Sequence, residues 1–205
     1  MEIKLCGLRR EADIQAANEL LVNYIGFVFA KNSKRYITPG NAASMRRQLL
    51  PRIKAVGVFV DEDVKNVAEL LNSNIIDVAQ LHGNEDEEYI KRLRILTDKP
   101  IIKAFKIKAR EDLAGIASSS ANYVLLDSGS GSGSVFDWGL IKSVERPYFL
   151  AGGLNAGNIE EAIRTLRPHA IDVSSGIEIN GYKDIRKMTE FVEKARSINE
   201  RVTSR

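Results

Sequence analysis

The sequence predicts an α/β chain folded as a single (β/α)8 TIM barrel, compact and with short loops. Three observations lead there. Short apolar runs alternate with longer amphipathic segments along the whole chain, with a strand first. The strand centres recur about every 25 residues, the repeat expected of one strand-plus-helix unit. Several runs are apolar throughout, such as Gly57-Val58-Phe59-Val60, a pattern that suits strands buried on both faces of a parallel sheet. Right-handed crossovers then set the hand of the barrel. At 205 residues it lies near the small end of its class. An open doubly wound sheet is the competing arrangement.

Strands are expected at Ile3 to Cys6, Ile25 to Phe29, Ala55 to Val60, Val78 to Leu81, Ile101 to Phe105, Tyr123 to Asp127, Tyr148 to Leu150 and Ala170 to Val173. The helices between them carry recognisable starts. Thr38-Pro39 reads as an N-cap followed by proline at the first helical position. Asp61 to Leu71 places Val64, Val67, Ala68 and Leu71 at helical spacing. Asp137 can cap a short helix with Trp138, Leu140 and Ile141, and Asn155 is expected to cap Ala156 to Leu166. Asp184 to Ile198 carries Ile185, Met188, Phe191, Val192 and Ala195 on one face. Ser118 to Ser120 and Ser128 to Ser134 read as local loops rather than linkers, so 1–205 reads as one domain.

Composition narrows the function classes. A hydrophobic share of 44% with 28% charged residues is ordinary for a globular protein. The one cysteine argues against a disulfide scaffold and fits a reducing compartment. No apolar stretch approaches the roughly 20 residues that cross a bilayer. A strand starting almost at Met1 leaves no room for a secretory signal, and a cytoplasmic location is expected. The net charge of +3 is dispersed, too weak a stripe for nucleic acid but compatible with a small anionic ligand. The sequence leaves the oligomeric state, monomer or homodimer, open.

A barrel gathers the C-terminal ends of its strands on one rim. Reading those ends gives Cys6, Phe29 with Lys31 to Arg35, Val60-Asp61, Leu81-His82-Gly83, Lys103 to Phe105, Asp127, Ala151-Gly152-Gly153, and Asp172 to Gly176. Reactive and glycine-rich residues collect there, which points to an enzyme. Gly152-Gly153 and Ser174-Ser175-Gly176 follow the seventh and eighth strands, whose loops commonly make a phosphate site from exposed backbone N–H groups. Two ordinary turns are the bland alternative.

The other candidates also have two readings. Cys6 is either a packing thiol or a reactive one. Asp127 is either a cap or a general acid, Arg35 a solvated charge or an anion holder, and His82 a satisfied hydrogen-bonding residue or a ligand contact. His169 precedes the eighth strand, on the opposite rim, and reads as structural. Trp138 reads as core. The histidines are far apart and lack partner cysteines, so no metal site is expected. Gly129 to Gly133 fails the G-x-G-x-x-G spacing and reads as a lid beside the site or a solvated linker.

Taken in order, Lys4-Leu5-Cys6-Gly7, Gly26-Phe27-Val28-Phe29, Ser33 to Ile37, Val56 to Val60, Gln80 to Gly83, Leu125-Leu126-Asp127, Phe136-Asp137-Trp138, Ala151 to Leu154 and Asp172 to Gly176 resemble the phosphoribosylanthranilate isomerase family of tryptophan biosynthesis. The resemblance runs the length of the chain. It implies a cofactor-free Amadori rearrangement of a phosphorylated small molecule, N-(5′-phosphoribosyl)anthranilate. By the same resemblance Asp127 is the general acid, Cys6 the general base and Arg35 the holder of the anthranilate carboxylate. By the resemblance the Gly152-Gly153 and Ser174 to Gly176 loops hold the phosphate; His82 and Asp172, at the strand ends, are counted as further substrate-binding candidates, with the role of His82 open.

The chemistry makes demands on both groups. A free thiol titrates at about 8.5, so a positive surrounding is expected to lower Cys6. Partial burial is expected to raise Asp127.

The chain departs from the family pattern at Ser134-Val135, where polar residues are usual, and at Leu8-Arg9, where Ile-Thr is usual. The second change is expected to alter a cap beside Cys6. Related barrel isomerases of histidine biosynthesis place an Asp where this chain has Cys6. A non-catalytic phosphate-binding barrel finds support only in Ser134-Val135.

Overall fold

Alternation along the first strand, β1 (Glu2–Cys6), sets the plan of the molecule. Ile3 and Leu5 point outward into the apolar layer beneath the helices, while Lys4 and Cys6 point into the barrel. The computed structural model describes residues 1–127 and 138–203. After β1 come α1 (Glu11–Leu20), β2 (Tyr24–Val28), α2 (Pro39–Arg46), β3 (Lys54–Phe59), α3 (Val64–Asn72), β4 (Val78–Leu81), α4 (Glu87–Leu96) and β5 (Ile101–Lys106). They continue with β6 (Tyr123–Asp127), β7 (Tyr148–Ala151), α5 (Ile159–Leu166), β8 (Ala170–Val173), the short hairpin β9 (Glu178–Ile179) and β10 (Tyr182–Lys183), and α6 (Ile185–Thr203).

Strands β1 to β8 pair in sequence order, all parallel, and β8 closes onto β1 through the register Lys4↔Asp172. The expected closed barrel is therefore the fold, and the open sheet is excluded. Its lower interior is filled by Val56, Val78, Ile102, Leu125, Phe149 and Ala170, with Tyr24 and Tyr123 packed against them. Cys6, Val28 and Val58 form a small layer above. Outward-facing strand residues meet the helix ring in one continuous cluster that includes Ile14, Val67, Leu71, Ile90, Ile163, Met188 and Phe191. No helix among the described residues is long and apolar enough to cross a membrane.

Helix starts follow local chemistry. Thr38 Oγ1 accepts from the Asn41 N–H at 3.2 Å with Pro39 first in α2, as expected. Asp184 Oδ1 accepts from Lys187 N at the head of α6, but Ile185 is exposed instead of sharing the buried face. Two starts lie later than expected. Asp63, not Asp61, caps α3, because Asp61 adopts a left-handed backbone (φ 51°) and accepts from Asn84 N. Asn155 Oδ1 closes a turn on Gly157 N at 2.7 Å, which delays α5 to Ile159 with Asn158 at the cap position.

The regular strand-plus-helix repeat breaks twice. After β5 the described residues form only a 3₁₀ turn, Arg110–Leu113, and before β7 only Leu140–Ser143. Gly115 and the serine run 118–120 interrupt any apolar stripe long enough to pack a full helix there. Trp138 is half-buried against the core. The sequence readings placed on Gly129 to Gly133, Ser134-Val135 and Asp137 lie outside the described residues. His169 sits on the rim opposite the strand ends, with its carbonyl accepting from Glu2 N and its ring near Tyr123 and Phe149.

Candidate active site

The strand ends surround a cavity of about 410 Å³ lined by Cys6, Arg35, His82, Asp127, Gly152, Gly153, Asp172, Ser174 and Ser175 among others. Nearly every residue picked from the sequence is therefore brought together. Gly176 is the exception, since it does not line the cavity. It lets two loops touch instead: a Cβ there would lie 1.9 Å from the Leu154 carbonyl oxygen. Gly152 and Gly153 both have positive φ, 95° and 62°, a conformation that exposes backbone N–H groups and suits glycine. No three His, Cys, Asp or Glu side chains among the described residues converge to hold a metal.

Cys6 ends β1 opposite Gly26, its register partner on β2. A Cβ at Gly26 would stand 2.7 Å from the thiol sulfur, so that glycine makes the space Cys6 occupies. Beneath the thiol lies Lys4, wholly buried, with Nζ 2.9 Å from Asp172 Oδ2. Burial alone would lower the Lys4 ammonium, but Asp172 and Cys6 hold it above its ordinary value.

The thiol itself departs from expectation. Burial pushes Cys6 up, Lys4 pulls it down, Asp172 pushes it up again and Lys183 pulls it down; the balance lies above the usual thiol value. The expected positive surrounding is present, but desolvation outweighs it. The other Asp172 oxygen, Oδ1, is buried without a hydrogen-bond partner among the described residues, on a side chain that lines the cavity.

Across the cavity, Asp127 ends β6 with Oδ2 3.1 Å from His82 Nε2. His82 Nδ1 is 2.8 Å from the Gln80 amide nitrogen. With that amide donating to Nδ1, the imidazole proton sits on Nε2 and is directed at Asp127. Both ring nitrogens of His82 are thus engaged within the protein.

Arg35 is not a solvated charge. Its Nε and Nη2 meet Glu178 Oε1 and Oε2 at 2.6 and 2.8 Å. Lys183 Nζ reaches the same Glu178 Oε1 at 2.6 Å and the Ser174 carbonyl at 2.9 Å. Ser174 Oγ in turn donates to the Cys6 carbonyl. Burial would raise Glu178, but hydrogen bonds from Arg35 and Lys183 pull it down to about 2. The cap beside Cys6 survives the Leu8-Arg9 departure, because Asp13 Oδ2 accepts from both Arg9 N and Arg10 N at 3.0 Å.

The family model for N-(5′-phosphoribosyl)anthranilate isomerase matches residues 3–194. The chain belongs to that family. A relative of that name from Endomicrobium trichonymphae is 44% identical over 202 residues, covering 96% of this chain and 99% of the relative. The phosphoribosyl anthranilate isomerase of Thermotoga maritima superposes with a TM-score of 0.89 at 33% identity, covering 96% of this chain and 99% of that one. A structure of the isomerase in complex with reduced 1-(o-carboxyphenylamino)-1-deoxyribulose 5-phosphate superposes with a TM-score of 0.86 at 32% identity, covering 96% and 99%.

Within this isomerase fold, Lys4, Gln80, Glu178 and Lys183 bond to cavity-lining residues but are not among the site candidates the sequence offers. Lys4 and Gln80 carried a usable signal. Each lies two positions before a candidate, Cys6 or His82, and so on the same interior face. For Glu178 and Lys183 the only signal was Asn180-Gly181, a hairpin dipeptide that folds β9 and β10 together.

Proposed function

We propose that the chain converts N-(5′-phosphoribosyl)anthranilate into 1-(2-carboxyphenylamino)-1-deoxyribulose 5-phosphate in tryptophan biosynthesis, with Asp127 as general acid and Cys6 as general base. The observation that carries the reading is that Cys6 and Asp127 line one cavity together with Arg35 and both glycine–serine loops.

In this mechanism the Asp127 proton passes to the furanose ring oxygen as the C1′–O bond breaks, and the nitrogen lone pair forms the Schiff base. The Cys6 thiolate then takes the C2′ proton, and the C–H electrons move into an enolamine. That species tautomerises to the ketone. Each proton transfer is worth roughly 10²- to 10⁴-fold. Arg35 holds the anthranilate carboxylate, and the backbone around Gly152, Gly153, Ser174 and Ser175 holds the phosphate. The open Asp172 Oδ1 accepts a sugar hydroxyl. Lys4 and Lys183 supply the positive charge that a buried thiolate needs. His82 keeps the Asp127 carboxyl aimed at the ring oxygen.

This reading places the protein in the cytoplasm with a small phosphorylated substrate, no nucleic acid or membrane partner and no cofactor. Continuity of one apolar layer around the closed barrel supports treating 1–205 as one domain. The test is turnover of phosphoribosylanthranilate by purified Cys6→Ala and Asp127→Asn. Each is expected to lose at least about 10²-fold in kcat. Rates within a few-fold of the parent in either variant would remove that residue from proton transfer.

A further inference from the structure

We propose that Glu178 is a positioning residue that grips one edge of the Arg35 guanidinium and thereby presents the opposite edge as a preformed fork for the anthranilate carboxylate. The inference rests on the assignment of Arg35 to that carboxylate.

The stereochemistry of the pair carries it. Guanidinium is planar and offers two separate two-donor edges. Glu178 takes the side edge, through Nε at 2.6 Å and Nη2 at 2.8 Å. Nη1 and the second Nη2 proton form the end edge, and that edge makes no hydrogen bond to the described residues, while the side chain lines the cavity beside Cys6. A free arginine would lose the freedom of a long side chain on binding, and a held one has lost it already.

Two further contacts fix the fork. The Arg35 stem lies against Gly7, where a Cβ would come within 2.5 Å of Arg35 Cδ. Lys183 Nζ also holds Glu178, at 2.6 Å through the Oε1 that Arg35 Nε meets. Arg35 and Lys183 are cations that both meet the one anion, Glu178. Without Glu178 the two cations would face each other unshielded.

The measurement is carboxylate discrimination. It is the ratio of inhibition constants for reduced 1-(2-carboxyphenylamino)-1-deoxyribulose 5-phosphate and the same compound lacking the carboxyl group. The ratio is read by titration of folded protein in the parent, Arg35→Ala, Glu178→Gln and the double variant. Glu178→Gln is expected to raise KM about tenfold while kcat stays within about threefold, and to lose about tenfold of the discrimination. In the Arg35→Ala background the same change should cost no more than about twofold further, since its route of action is gone.

Unchanged discrimination in Glu178→Gln, or tighter binding of the carboxylated compound, overturns the proposal; the latter would make Glu178 a competitor that withdraws Arg35. Intact discrimination in Arg35→Ala is a different result and removes the Arg35 assignment itself. Should Glu178→Gln not fold, Glu178→Asp gives the same decision. A shortened carboxylate should lose part of the ratio, and an unchanged ratio ends the proposal.

Discussion

Lys4 decides how useful the Cys6 thiol can be. The two side chains share the interior face of β1, and Lys4 is the largest pull toward thiolate in a pocket whose burial opposes it. Because the thiol sits above its ordinary value, kcat/KM should still be rising with pH through the neutral range. Replacing Lys4 with methionine removes the downward pull, so the rise should move to higher pH and activity at pH 7 should fall about tenfold or more. The single change also strands Asp172 as a buried unpaired charge, which is costly. Lys4→Met with Asp172→Asn restores that balance and removes an upward push on the thiol, so the rise should return part of the way. The position of the profile, not its height, is the readout, since Asp172 also faces the cavity. A profile that stays where it was in Lys4→Met would separate Lys4 from the chemistry.

The β9–β10 hairpin is built from two strands of two residues each, yet it brings Glu178 to Arg35 and Lys183 to Ser174, two residues that line the cavity. Asn180 and Gly181 have φ values of 51° and 78°, the mirror-image turn that Asn-Gly favours. Arg9 anchors the hairpin tip, with Nη2 3.1 Å from the Gly181 carbonyl and its guanidinium 4.7 Å over the Tyr182 ring. Thus the departure at Leu8-Arg9 acts on the hairpin rather than on the cap it was expected to alter. Glu178 makes the hairpin sensitive to acid. Its carboxyl lies at about 2 when folded, below the roughly 4.3 of an unfolded glutamate. The unfolded chain therefore binds more protons between those values, and this contribution to stability is complete above the upper one and lost as pH falls through the lower. Glu178→Gln should accordingly reduce proton uptake on unfolding by up to one proton within that window. Urea unfolding from pH 2 to 6 measures it. Parallel stability curves for parent and variant would show that Glu178 is not tied down in the folded state.

Closure of the barrel is what turns scattered strand ends into one cavity, and this much could be read from the apolar runs alone. Burial on both strand faces, as at Ala55 to Phe59, announced the parallel sheet, and the reactive residues at its C-terminal ends announced the rim. The connections after β5 and before β7 were harder, because three-residue 3.6-period patterns cannot distinguish a packed helix from a 3₁₀ turn. Glu178 and Arg35 lie 143 positions apart, and their pairing follows only from tertiary geometry. The same geometry separates stability from chemistry. Phe149 plugs the barrel floor, fully buried and edge-on to Tyr24 and Tyr123 at 5.4 and 5.9 Å. Ala151, two residues further along β7, already lines the cavity. Phe149→Ala should therefore cost about 3–5 kcal/mol of unfolding free energy by leaving a void that neighbours only partly fill. Well below the unfolding transition, its KM and kcat should remain within about threefold of the parent, because no side chain assigned to proton transfer or substrate binding belongs to the floor cluster. Denaturant unfolding beside steady-state kinetics on the same preparation checks both halves. A stability loss accompanied by a proportionate fall in kcat would mean that the floor and the rim move as one body, and the division of labour along the barrel axis would have to be abandoned.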